Sequence, residues 1–339
     1  MATDQAERLR QLAAETMKPR TDLPRMTQSE DDEPRSDETA GSSAEPSATM
    51  DAQHAGLRKP TRLARATAIV SGKGGVGKSN IAVNLAVALS SMGRLVVLFD
   101  ADLGMANADV LCGMTPEATL EDVLRGRATL KDVLIPGPGG FRLVPGSSGV
   151  AAMANLDGLQ RRRVLGQLSA LDRVADHLII DMGAGISSAV TTFAASAHRT
   201  LVVTTPEPTS ITDGYGAIKT LLARGSTAKI ELLVNMARNL EEGELVYRRV
   251  ERVVEQFLKV PLTMGGTIPH DPALPDAVRR RRPILLEAPW SPSAKALTRL
   301  AHHVDGRDCQ QLDQVESVDE SSQVGFFQRL ARGLMGRRS

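Results

Sequence analysis

The most confining feature of the chain is a strand, a glycine-rich turn and a helix in immediate succession. "ATAIV" (66–70) is an apolar run of strand length, "SGKGGVGKS" (71–79) is the turn, and "NIAVNLAVALSSM" (80–92) is a helical run closed by Gly93. Gly72 to Ser79 fit G-x-x-x-x-G-K-[ST], a loop suited to holding phosphate. Gly72, Gly74, Gly75 and Gly77 let backbone N–H groups, that of Val76 included, approach phosphate oxygens, and the helix amino end adds a favourable dipole. Lys78 would meet the β and γ phosphates, and the Ser79 hydroxyl would ligate Mg²⁺.

Lys73 is the departure from a simple phosphate loop. A second ammonium beside the first costs Coulomb energy unless anionic phosphate offsets it. Directed at its own phosphates it would duplicate Lys78. On the exposed lip it can reach phosphates held by a second copy, which predicts nucleotide sandwiched in a homodimer.

The rest of the region from 62 to 304 fits the fold this loop demands. "TAIVS", "LVVLFD", "FRLVP", "HLIIDM", "TLVVTT", "IELLVN" and "LTMGGTI" read as strands, with helical segments between them. Their near-continuous apolar character predicts strands buried on both faces. The alternation predicts an α/β fold, a doubly wound, mostly parallel sheet of P-loop NTPase type. The net charge of +1 over 339 residues gives no general attraction to nucleic acid or membrane. Two distant cysteines, Cys112 and Cys309, fit a reducing cytoplasm. The polar start "MATDQAERLR" lacks the pattern of a secretory signal, and no apolar run approaches the roughly 20 residues of a membrane span.

"KGGVGKS" resembles the deviant Walker A motif of the MinD/ParA ATPases, in which the first lysine contacts the partner's nucleotide in an ATP-dependent dimer. The likeness extends from about Arg65 to Arg299 and implies an Mg²⁺-dependent, slow ATPase. "LFDADLGMANADVLCG" is similar to the family's switch I, which implies that Asp102 positions the hydrolytic water and Asp100 assists around the metal. "HLIIDMGAGISS" reads as Walker B and switch II. There Asp181 would hold Mg²⁺ through its water and Gly183 would offer an N–H to the γ-phosphate. "TTPEPTSITDG" resembles a proline–glutamate loop at the dimer interface, so Glu207 would reach the partner's ribose or Lys73. In "LLVNMAR" and "TIPHDPAL", Asn235 would read the adenine edge, with Pro269 and Asp271 packed by the base. The guanine-reading N-K-x-D pattern is absent from the matching place, which favours ATP.

Both ends carry further signals. Residues 1–16 form a short helical pattern, "DQAERLRQLAA", similar to the DQAxxLR motif of the flagellar-number regulators (FlhG, also called FleN). The resemblance implies stimulation of an FlhF-type GTPase through Asp4, Gln5, Ala6, Leu9 and Arg10. Residues 17–61 read as a disordered acidic tether and 305–322 as a polar linker. Residues 323–339 place Phe326, Phe327, Leu330, Leu334 and Met335 on a helical stripe flanked by arginines. That pattern predicts an amphipathic helix standing apart from the main core and lying on anionic inner-membrane lipid. The expected protein is cytoplasmic and reversibly membrane-bound, regulating flagellar number with C-ring components or a transcription activator as further partners. A septum-site regulator and a DNA-bound partitioning ATPase are the alternatives. The arginine run 279–282 reads as the solvated end of a helix, so nucleic acid is not the expected partner.

Overall fold

The computed structural model describes residues 62–102, 107–146, 158–306 and 324–335. The amino-terminal helix, the acidic tether up to residue 61 and the linker from 307 to 323 lie outside the described residues.

The strands are β1 (Arg65–Val70), β2 (Val96–Ala101), β3 (Ile135–Pro136), β4 (Arg142–Val144), β5 (His177–Met182), β6 (Arg199–Thr204), β7 (Lys229–Ala237) and β8 (Thr263–Pro269). The helices are α1 (Lys78–Ser91), α2 (Ala108–Leu111), α3 (Leu120–Leu124), α4 (Gly158–Leu168), α5 (Leu171–Val174), α6 (Ser188–Ser196), α7 (Pro208–Ala223), α8 (Leu240–Leu258), α9 (Ala273–Arg279), α10 (Ile284–Glu287), α11 (Pro292–Asp305) and α12 (Phe326–Met335).

Among the described residues the sheet runs β3-β4-β2-β5-β1-β6-β7-β8. Every neighbouring pair is parallel except β3 with β4. The expected doubly wound parallel sheet is therefore present. β3 went unpredicted because two residues, one of them proline, give no periodic signal and suit only a sheet edge.

Successive side chains on a strand point to opposite faces. Ala66, Ala68, Val97, Phe99, Leu178 and Ile180 enter one core with helices α3, α4, α6, α7, α8 and α12. Ile69, Val96, Leu98 and Ile179 enter the other with α1, α9, α10 and α11. Strands buried on both sides explain the unbroken apolar runs in the sequence.

Two boundary expectations change. Asp305 is the last residue of α11, not the first of a linker. It is buried, receives Arg94 at 2.8 Å and lies 3.0 Å from His177 Nε2. The larger correction concerns α12, which does not stand apart. Phe326, Phe327 and Leu330 are 0% exposed within the first core. Phe327 meets Phe99 edge-on with ring centroids 5.9 Å apart, and Phe326 lies 6.3 Å from Phe193. Asp172, on α5, accepts the Phe326 and Phe327 amides at 3.2 Å each, satisfying donors that a helix start leaves open. Gly325 is needed there, since a Cβ would fall 2.3 Å from the Asp172 carboxylate. Sealing so much aromatic surface from water outweighs the weakening effect of glycine in a short helix.

Candidate nucleotide site

The loop 71–79 leaves β1 at the carboxyl end of the sheet and turns into α1. Gly75 (φ +78°) and Gly77 (φ +90°) take left-handed backbone, which glycine adopts without strain. Gly77 precedes the first helical residue and no side chain caps α1. The amides at that helix start are thus left for a ligand. Two loop positions, Gly72 and Gly77, are also fixed by packing. A Cβ at Gly72 would meet the Asp213 carbonyl oxygen of α7 at 2.1 Å, and one at Gly77 would meet the Asn235 amide nitrogen at 2.5 Å.

Lys78 is 8% exposed, and its Nζ donates to Ser71 Oγ at 3.0 Å. Ser71 in turn donates to the Lys73 carbonyl at 2.6 Å. Burial holds the Lys78 ammonium below its usual pKa, with the Asp181 and Asp102 charges offsetting part of that shift. A buried cation short of counter-charge is an electrostatic seat for phosphate. Ser71 was not singled out in the sequence; its only signal was a hydroxyl closing an apolar strand.

Asp181 is the penultimate residue of β5 and is paired in register with Asp100 of β2. Both are 1% exposed. Burial first, and then the Asp100 charge, push the Asp181 carboxyl up to about 8; the Ser79 hydroxyl and the Lys78 charge lower it in part. Among the described residues neither Asp181 oxygen has a geometrically sound hydrogen bond. Asp100 is also raised by burial, to about 6, and three backbone amides counter the shift. Those amides are Asp102, which donates to Oδ1, and Asn107 and Ala108, which donate to Oδ2, each at 3.1 Å. Asp100 therefore holds the start of α2, and its room for a metal is correspondingly smaller than the sequence suggested. Two buried, partly uncompensated carboxylates beside the Ser79 hydroxyl fit a hydrated divalent cation, which would supply the missing charge. Asp102 sits just past β2, half-buried. Gly183 is buried directly after β5, and Gly185 donates to the Ser71 carbonyl at 3.0 Å.

Lys73 lies on the exposed lip, but it is not waiting for a counter-ion. Its Nζ contacts Glu207 of the same chain at 2.5 Å and Thr209 Oγ1 at 3.2 Å. The idea that only a second molecule neutralises Lys73 is corrected. Glu207 sits immediately before α7, and the loop carrying it overhangs the phosphate loop.

Two residues expected beside the base also hold the fold together. The Asn235 amide is buried and donates to Val76 O at 2.8 Å, bracing the phosphate loop. One amide hydrogen is thereby engaged, while the second and the Oδ1 acceptor are not used by this bond. Asp271 accepts the Ser293 amide (3.0 Å) and hydroxyl (2.7 Å) and the Ala273 amide (3.0 Å). Burial would raise its pKa, but these bonds outweigh it and hold the carboxyl low. It ties α11 to α9 through both oxygens, Oδ2 accepting twice and Oδ1 once. Pro269 ends β8 in register with Ala237.

Comparison with known proteins agrees with this geometry. Residues 67–284 match the model of the CobQ/CobB/MinD/ParA nucleotide binding domain. Antiactivator FleN of Pseudomonas aeruginosa is 42% identical over 238 residues, covering 70% of this chain and 85% of that protein. Flagellum site-determining protein YlxH of Helicobacter pylori is 34% identical, covering 69% and 79%. The septum site-determining protein MinD of Pyrococcus horikoshii, solved with Mg-ADP, superposes with a TM-score of 0.59 at 29% identity, covering 72% of this chain and 96% of that one.

Proposed function

The chain belongs to the CobQ/CobB/MinD/ParA nucleotide-binding family, and from that membership we propose that it is an ATP-driven dimerising switch controlling flagellar number and placement. The relative named for determining the flagellum site supports the flagellar reading, and the amino-terminal "DQAERLR" supports an FlhF-type GTPase as the partner of residues 1–16. ATP binds with its phosphates over the 72–79 loop, against Lys78 and the amides of α1. Ser79 and Asp181 hold Mg²⁺, with Asp100 behind them. Bound there, the metal neutralises developing phosphate charge. Asp102 orients the attacking water, and Gly183 offers its N–H to the γ-phosphate. In the dimer Lys73 leaves Glu207 for the phosphates of the second copy, and Glu207 turns to that copy's ribose.

One observation carries the switch. Phe327 of α12 packs on Phe99, and the next residue in β2 is Asp100, at the metal site. A shift of β2 that accompanies nucleotide binding is felt directly by the ring that holds α12 down. Nucleotide-free protein keeps Phe326, Phe327 and Leu330 hidden. The ATP dimer releases two copies of α12, with Leu334 and Met335 completing the stripe, to the inner membrane leaflet, where paired weak anchors gain avidity. Hydrolysis reverses the step.

The test is co-sedimentation of the full chain with phosphatidylglycerol vesicles in ATP, ADP or no nucleotide. Binding confined to ATP supports the switch; equal binding in all three states, or none, refutes it. Deleting residues 1–16 and assaying a co-purified FlhF-type GTPase tests the flagellar arm, which unchanged stimulation would remove. A septum-site role, favoured by the MinD superposition, would leave that GTPase untouched.

A further inference from the structure

We propose that the turn Arg279–Arg282, with Leu286 and Trp290, is a docking surface for an acidic protein segment carrying an apolar anchor. This goes beyond the nucleotide switch and uses residues on the opposite face of the sheet from α12.

The four arginines close α9 and lead into α10, all exposed. Arg279 pairs with Asp276 at 2.7 Å, while Arg280 and Arg282 both reach Glu287. Three residues beyond Glu287 stands Trp290, the only tryptophan of the chain, 71% exposed. Leu286, on the same short helix as Glu287, is also exposed. Leaving an indole in water forgoes the burial of an aromatic surface that normally dominates a core or an interface. Arginine and tryptophan together are the residues that carry most of the energy at protein–protein contacts.

The surface is built, not loose. Arg281 has left-handed backbone (φ +53°). Its carbonyl oxygen would lie 3.3 Å from a Cβ at Gly113, so the turn is seated on the second residue after α2. The Leu285 amide donates to Asn84 of α1 at 3.1 Å. The turn therefore rests on two elements that start at the nucleotide site: α1 at Lys78, and α2 at the Asp100 carboxylate.

The chemistry selects the partner. The guanidinium groups already clasp carboxylates, and an incoming carboxylate can replace Asp276 or Glu287 at little electrostatic cost. Burial of Trp290 then supplies the net gain. Four arginines less two carboxylates leave +2 on this surface, too sparse for a polyphosphate track but enough for one or two carboxylates beside an apolar anchor. A lipid surface engaged by α12 lies across the sheet, since α12 and α10 belong to opposite cores.

Trp290 reports its own occupancy. Full-length protein is titrated with a short synthetic peptide of Asp and Glu around a central Leu-Phe, at physiological ionic strength, while indole emission is followed. A saturable blue shift is expected, weakened about tenfold in Arg280→Glu. Calorimetry on Trp290→Phe, which keeps an aromatic ring and removes the reporter, is expected to show weaker binding of the same peptide. No shift with the peptide overturns the proposal. So does a tighter response to single-stranded DNA, duplex DNA or phosphatidylglycerol vesicles, which would assign the surface to nucleic acid or lipid. The titration needs no nucleotide, so its failure is distinct from failure of the ATP switch.

Discussion

Asp100 and Asp181 stand side by side on adjacent parallel strands, both buried, both with carboxyl pKa values raised by that burial. Two like charges in a dry site make the ligand-free protein pay in stability whenever both ionise.

Asp181→Asn should therefore change the pH dependence of stability. An unfolded aspartate titrates near about 3.9, whereas Asp181 is raised to about 8 in the fold. Between these values the folded chain holds a proton that the unfolded chain has lost, so stability falls as pH rises. The stability difference, wild type minus variant, should decline from about pH 4 to pH 8, by at most about 1.4 kcal/mol per unit. Urea unfolding of both proteins across that range checks it, with groups common to both cancelling. Mg²⁺ with ATP should raise the wild-type midpoint at pH 8 and leave the variant nearly unmoved.

Lys73 and Glu207 should separate binding from dimerisation. Lys73→Ala removes the ammonium from the lip but not Lys78, so fluorescent-ATP affinity should stay within about threefold of wild type. ATP-dependent dimer in sedimentation velocity should disappear. Glu207→Gln weakens the hold on Lys73 within its own chain. It should free that lysine sooner, unless the loss of ribose contact dominates; the dimer dissociation constant in ATP gives the balance. Nucleotide affinity of the monomer should not change.

Asn235→Ala should loosen the phosphate loop. It leaves the Val76 carbonyl without its buried donor, at a cost of about 1–3 kcal/mol. ATP and GTP affinities should fall together, because the lost bond shapes the phosphate loop. A fall confined to ATP would return this side chain to the adenine edge.

Asp172→Ala should release α12. The Phe326 and Phe327 amides lose their acceptor, at a cost of about 0.5–2 kcal/mol, the usual effect of deleting a helix cap. Vesicle binding of the nucleotide-free protein should rise. Gly325→Ala, whose new methyl would collide with the Asp172 carboxylate, should act in the same direction.

Much of this architecture was legible because local signals agreed. The apolar runs that become β1, β2 and β4–β8 are short and bounded by turns, and Gly72 to Ser79 carry a spacing that few other folds need. Lys78, Ser79 and Asp181 follow from that spacing and from a strand ending in a carboxylate. The contacts that no local pattern announced are those whose partners are far away in the chain. Glu207 lies 134 residues from Lys73, and Asn235 is 159 from Val76. Nothing local distinguishes an asparagine facing a base from one facing a carbonyl. The bonds from Ser293 to Asp271 were hidden for the same reason. The stripe on α12 was read correctly as amphipathic. Its period says that one face avoids water but not what covers that face, and here Phe99 and Phe193 do.

Gly72 lies so close to Asp213 that the phosphate loop and α7 have no room for an intervening atom. The two are inherited as one part. Transplanting residues 71–79 into another scaffold without α7 would carry over the letters of the motif and lose its shape. Because the nearest atoms are the Asp213 carbonyl and Cβ, which almost any residue there would keep, it is the placement of α7 and not its sequence that limits how this loop can evolve.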